Sequence, residues 1–225
     1  WRSSAIGSDA MSHEFTVESS EILIDAPIIA VRRDSVVMPG GTPADREIVE
    51  HFGAVAVVAL DDDNNVALVE QYRHSVGRRL LELPAGLLDV YGEDELECAK
   101  RELVEEAGLE ADEWAVLVDL VTSPGFAEEA VRVFVAKQLR EVERPDAENE
   151  EADMGFSWVP LDEAAEKVLR GEIVNSIAVS GILAASRVAA GGGHTRDVAE
   201  PFEWRPQSLA RRRGERGIVP DMKQV

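Results

Sequence analysis

Cysteine is nearly missing from this chain: Cys98 is the single thiol among 225 residues. An internal disulfide framework and a cysteine-based zinc site are both excluded, and a reducing compartment, the cytoplasm, is the expectation. Bases are scarce too. Twenty-three Lys and Arg against 44 Asp and Glu leave a formal charge of −21, which disfavours a broad nucleic-acid platform, because that mode needs clustered cations facing phosphate. No apolar run approaches the ~18 residues of a membrane helix; residues 52–60 are too few, and 177–190 are broken by Ser and Arg. Neither nucleic acid nor membrane is therefore expected as a partner. A Gly-x-Ser-x-Gly elbow, a phosphate loop ending in Gly-Lys-Ser/Thr and a dinucleotide fingerprint are also missing, which removes three common catalytic or cofactor-binding frameworks. Residues 1–10 have neither a basic start nor an apolar centre and are followed by Met11, so they read as a scar ahead of an initiator.

What is present is enough apolar sequence for a core, 45% of the chain, and so for one substantial domain or a small domain plus an accessory layer. From about residue 15 to 85, Val and Ile clusters alternate with turn chemistry at Met38-Pro-Gly-Gly-Thr-Pro and Asp61-Asp-Asp-Asn-Asn65. Closely spaced strands of this kind predict an antiparallel or mixed sheet, with a hairpin around the Asp/Asn turn. After Gly92 the period changes. Leu96, Ala99, Leu103 and Ala107 recur at spacings of three and four, predicting one apolar stripe of a helix. Asp94 with Glu97 resembles a capping box, and Gly108 stands where a left-handed residue ends a helix. Strands are expected again at 114–121, 130–136 and 156–159, and helices at 161–169 and 173–188. Beyond residue 190 the sequence turns polar and Arg-rich, including Arg211-Arg-Arg-Gly-Glu-Arg216, and reads as a flexible tail.

The chemistry concentrates in Gly86-Leu-Leu-Asp-Val-Tyr-Gly-Glu93, then seven residues, then Arg101-Glu-Leu-Val-Glu-Glu-Ala-Gly-Leu109. On a helix Glu102 and Glu106 lie on one face with Cβ atoms about 5–6 Å apart. They fall at the border of the apolar stripe, so repulsion and partial desolvation raise both pKa values unless a cation intervenes. Oxygen-only, highly charged ligands of this kind favour Mg²⁺ or Mn²⁺. Arg101 and Glu105 sit on the more exposed flank, where the arginine can hold Glu105 or Glu102 by charge-assisted hydrogen bonds. A lone Glu pair is more often a solvated helix face. Eight fixed or apolar positions at set intervals arise by chance with a probability of about 10⁻⁵ in a chain of this size, and that favours the functional reading.

These residues resemble the box of the Nudix hydrolases, a Gly, five residues, a Glu, seven residues, then Arg-Glu-apolar-x-Glu-Glu-x-Gly-apolar. Glu93, Arg101, Glu102, Leu103, Glu105, Glu106, Gly108 and Leu109 all match, while six residues rather than five separate Gly86 from Glu93. Arg46-Glu-Ile-Val-Glu-His-Phe-Gly-Ala54, Glu70-Gln-Tyr-Arg-His74, Glu82-Leu-Pro-Ala-Gly-Leu-Leu88, Thr122-Ser-Pro-Gly-Phe126 and Glu150-Glu-Ala-Asp153 extend the resemblance to the ADP-ribose pyrophosphatase branch, nearest its actinobacterial members. The resemblance implies metal binding by the Ala85 carbonyl and by Glu102 and Glu106, and a general base on a late acidic loop. Glu151 aligns with that base, and Glu150 and Glu148 stand beside it as alternatives. Arg46 and Arg73 would face adenine and phosphates, and Phe126 and Glu128 the terminal ribose; an ordinary ion pair for Arg73 and turn packing for the loop remain open. None of the four histidines is assigned to metal.

The expectation is an α+β protein: a Nudix-type α/β/α sandwich with a mixed sheet (residues 51–190), preceded by an antiparallel β-layer (11–50) that in the resembling family pairs across a homodimer. The implied reaction is Mg²⁺- or Mn²⁺-dependent hydrolysis of ADP-ribose to AMP and ribose 5-phosphate. Another nucleoside diphosphate derivative as substrate, and a non-catalytic ADP-ribose sensor, are the alternatives.

Overall fold

The computed structural model describes residues 13–145 and 153–223, so the expected scar and Glu148, Glu150 and Glu151 lie outside the described residues. Three strands, β1 (Val17–Asp25), β2 (Ile29–Val37) and β3 (Pro43–His51), form an antiparallel meander. The turn between β2 and β3 is closed by Met38 N donating to Thr42 O at 3.0 Å and Gly41 N donating to Met38 O at 2.9 Å. Gly40 and Gly41 occupy it at φ of 98° and 85°, a region a side chain would strain.

The body of the chain beyond β3 has two further sheets. One is mixed, ordered β7 (Ala85–Leu87), β4 (Ala54–Ala59), β9 (Ala130–Glu141), β8 (Leu109–Val121), with β4 and β9 parallel. The other is antiparallel, ordered β10 (Gly155–Pro160), β5 (Asn65–Arg73), β6 (Arg78–Glu82). Strand β4 is buried along its whole length, which is why it reads as an unbroken apolar run rather than an alternating one. Val55, Val57 and Ala59 pack with Cys98, Ala99 and Leu103 of α1 (Glu95–Ala107). Ala54, Ala56 and Val58 pack with Leu161 and Ala164 of α2 (Leu161–Leu169) and with Ala178 and Ile182 of α3 (Ser176–Ala189). Helices thus cover both faces of the mixed sheet, as the sandwich expectation required.

Two local expectations change. The Asp/Asn turn is well made, since Asp61 Oδ1 accepts from the amides of Asp63 and Asn65 at 2.9 and 2.7 Å. It joins strands of different sheets, however, and only a single Leu60–Val66 bridge flanks it instead of a hairpin ladder. The third helix begins at Ser176 rather than near Ile173, because Asn175 caps it by accepting from the amides of Ile177 and Ala178 at 3.0 Å each.

The larger correction concerns residues 191–223. They are not a flexible tail but a packed strap carrying α4 (Ser208–Glu215). Phe202 enters the core between α1 and the mixed sheet, and Leu209 and Met222 form a separate cluster with Ala30 of β2 and Phe52. Five of the six arginines in residues 191–223 are ion-paired within the chain: Arg212 with Glu50, Arg213 and Arg216 with Asp25, Arg205 with Glu95, Arg196 with Asp119, while Arg211 is exposed. Three isolated apolar residues thus dock the strap, and its cations meet acids on both the N-terminal layer and the body that follows it. Replacing fully buried Leu209 by Ala should lower unfolding free energy by about 3 kcal/mol, the range for such truncations. Urea denaturation measures it, and unchanged stability would mean that the segment is undocked in solution.

Candidate active site

Helix α1 is specified at both ends. Asp94 accepts from the amide of Leu96 at 2.9 Å, and Gly108 ends the helix at φ 64°. The capping box is incomplete, because Glu97 accepts instead from Lys100 at 2.7 Å. Burying Cys98, Ala99 and Leu103 turns the face bearing Glu102 and Glu106 against β7, and both glutamates are buried.

The two carboxylates converge on one short stretch of backbone. Ala85 N donates to Glu106 Oε2 at 2.9 Å. At Gly86 an added Cβ would fall inside the Glu102 carboxylate, so glycine is required by close approach. Burial first, opposed by Arg101 and reinforced by the negative charges of Glu105 and Asp89, pushes the Glu102 carboxyl up to about 7. A half-neutralised buried carboxyl beside a second one is an arrangement that a hard cation relieves.

Arg101 organises the flank. Its Nε and Nη2 donate to Glu93 at 3.0 and 3.1 Å, and its Nη1 donates to Glu102 at 2.6 Å and Glu105 at 3.0 Å. The guanidinium acts through these three glutamates, with its own pKa raised chiefly by Glu93.

The remaining expected residues are more dispersed. Arg73 forms a bidentate pair with Glu82 at 2.9 and 2.6 Å, the ion-pair alternative. Glu128 accepts from Arg32 at 3.2 Å and Ser208 at 2.9 Å, which commits its carboxylate to an internal cluster. Arg46 on β3 is exposed, with Nη1 donating to the Asp45 carbonyl at 2.8 Å. Phe126 is 60% exposed, on a loop pinned to β3 by Val49 N donating to Phe126 O at 2.7 Å and Glu128 N donating to Val49 O at 3.1 Å. Sequence reasoning passed over Glu82 and Asp89, both buried acids. Glu82 alone carried a signal, as one charge between Leu81 and Leu83.

Among the described residues no three His, Cys, Asp or Glu side chains form a metal cage. Two buried carboxylates converging on the backbone of residues 85 and 86 fit a hard divalent cation, which takes one or two carboxylates and completes its shell with water and phosphate. Because Glu102 holds its proton more tightly when folded, its favourable contribution is present below pH 4.5 and is lost as pH rises through about 7. In metal-stripped protein at pH 8, Glu102→Gln should therefore raise stability by about 3 kcal/mol and at pH 4.5 by almost nothing. Thermal melts at the two pH values decide it.

Comparison with known proteins gives the family. A model of the NUDIX domain matches residues 50–177, and one of the nucleoside diphosphate sugar hydrolase N-terminal domain matches 15–49. An ADP-ribose pyrophosphatase of Mycobacterium tuberculosis is 57% identical over 91% of this chain and 99% of its own length. One of Bacillus subtilis is 35% identical over 70% and 85%. A solved structure described as an ADP compounds hydrolase superposes with a TM-score of 0.69 at 23% identity, covering 80% of this chain and 97% of its own, a likeness of fold. The carboxylate-bearing helix, the glycine strand beneath it and the match over residues 50–177 place this chain in the Nudix family.

Proposed function

We propose that the protein hydrolyses the pyrophosphate of ADP-ribose to AMP and ribose 5-phosphate, with Mg²⁺ or Mn²⁺ held by Glu102, Glu106 and the Ala85 carbonyl. The observation that carries the reading is the convergence of two buried carboxylates on Ala85 and Gly86. The 57% identity to a protein named for that activity supports the substrate. A bound divalent ion would supply the positive charge that offsets the diphosphate.

The chain's own residues supply orientation. Arg101, tied to Glu93, holds Glu102 in its rotamer and keeps Glu105 on the open side of the helix. Arg46 and Phe126, both exposed on segments joined through Val49, are offered to the nucleotide; a guanidinium takes phosphate bidentately or stacks on a base. Arg73 and Glu128 are proposed to support that surface through Glu82 and Arg32. Glu151, by its alignment, would take the proton of the attacking water as a P–O bond of the pyrophosphate breaks. Two residues after Glu151, Asp153 is held by Arg79 of β6, which donates to its carbonyl at 3.1 Å and pairs with its carboxylate.

A nucleotide sugar is the second reading, favoured by the match of residues 15–49 to the nucleoside diphosphate sugar hydrolase N-terminal domain. A homodimer through the N-terminal layer belongs to the same proposal. Val17, Ile22, Leu23 and Ile24 of edge strand β1 are exposed, and an exposed apolar edge invites pairing. Light scattering should give twice the chain mass; a monomer overturns this part. A cytoplasmic location is proposed on the single reduced cysteine, and no helix of the described residues is long and apolar enough to cross a membrane.

Incubation with ADP-ribose and Mg²⁺ should release AMP, faster than from a panel of nucleotide sugars, NADH and dinucleoside polyphosphates. Glu106→Gln and Glu151→Gln should each cut turnover about 10²–10⁴-fold, the range for losing an electrostatic or acid–base group. Wild-type turnover in a variant lacking both glutamates would refute the assignment.

A further inference from the structure

The loop between β7 and α1, residues 88–94, carries the extra residue of the motif, and the strap closes on it. Tyr91 N donates to Pro220 O at 2.8 Å, and Met222 N donates to Asp89 O at 2.9 Å. Val90 and Asp221 form an antiparallel bridge, and Gly214 of α4 lies so near Tyr91 that an added Cβ would sit 2.9 Å from its ring. Lys223 Nζ stands 2.7 Å from Asp89 Oδ2, the lysine side chain 48% exposed and the aspartate only 6%. Upstream in the strap, Arg205 Nη1 donates to the Glu93 carbonyl at 3.2 Å and to Glu95 Oε1 at 2.8 Å.

These contacts reach the paired carboxylates in two steps. The loop ends at Glu93, whose carboxylate holds Arg101 by two bonds, and Arg101 in turn donates to Glu102. We propose that residues 205 and 220–223 are a positioning clamp for this loop, with Lys223 as the neutralising partner of buried Asp89, and that the clamp keeps Glu93, Arg101 and Glu102 aligned for cation binding. The inference rests on the reading of Glu102 and Glu106 as the cation site. Without Lys223 a buried carboxylate is left uncompensated, and such a group is costly enough to move its backbone outward. None of the strap lies within residues 50–177, the span matched by the family domain, so this support is supplied from outside it.

The test is Mn²⁺ titration of the metal-stripped, full-length protein, read by the electron paramagnetic resonance of free Mn²⁺, with no substrate present. Coulomb attraction alone makes Lys223→Met bind a cation more tightly, because a positive charge has been removed nearby. The clamp predicts the opposite sign: about tenfold weaker binding, restored by Lys223→Arg, together with faster hydrogen exchange at the Tyr91 amide. Lys223 is half exposed, so the variant keeps its core. Binding by Lys223→Met equal to or tighter than wild type overturns the clamp while leaving the cation site intact. Wild-type protein that binds no Mn²⁺ removes the site reading, and the clamp with it.

Discussion

Two like charges buried one helical turn apart are the constraint around which this molecule is arranged. At about 6 Å and an effective dielectric near 20, two carboxylates repel by roughly 3 kcal/mol, a large share of the ~5–15 kcal/mol that holds a domain folded. Apolar packing of Cys98, Ala99 and Leu103 against β4 forces the helix to present that face inward, so the repulsion cannot be relieved by rotating the glutamates into water. What remains is neutralisation. Part of it is internal, through Arg101 on Glu102 and the Ala85 amide on Glu106, while burial still pushes the Glu102 carboxyl up to about 7. A site left short of positive charge is one prepared to receive it.

The same shortage recurs at larger scale. With 44 acids against 23 bases, many of the arginines find an acidic partner. They are drawn to the acids that lie between layers: Arg32 to Asp34 and Glu50, Arg132 and Arg196 to Asp119, Arg213 and Arg216 to Asp25. Buried pairs of this kind add little net stability, but breaking one strands a charge. Their effect is to make the docking of the strap specific, since an alternative placement would leave Arg213, which is fully buried, without Asp25.

Legibility in the sequence followed the range of the interactions. Helix α1 could be read because its stripe, its Asp94 cap and its Gly108 stop are local, and so could the convergence of Glu102 and Glu106 on one face. The burial of β4 was legible in its unbroken Ala and Val. The division of strands between sheets was not, because the Asp61–Asn65 turn is compatible with a hairpin, whereas β4 pairs instead with β7 on one edge and the distant β9 on the other. The reciprocal arm of the capping box failed for a local reason, with Lys100 offering Glu97 a charged partner. The strap was misread because its docking depends on Phe202, Leu209 and Met222, single apolar residues too far apart to show a period. Its arginines carry no sign in themselves of whether they face water or Asp25.

The lengthened loop illustrates how a departure from a motif can be absorbed. An inserted residue adds an amide and a carbonyl that must find partners, and in a loop held against the core they cannot all turn to solvent. Here the Tyr91 amide and the Asp89 carbonyl are taken up by the backbone of residues 220–222, so a segment from elsewhere in the chain supplies their partners. The insertion and the strap are then two halves of one solution. The helix beyond the loop packs on β7, and Gly86 meets Glu102 with no room for a side chain.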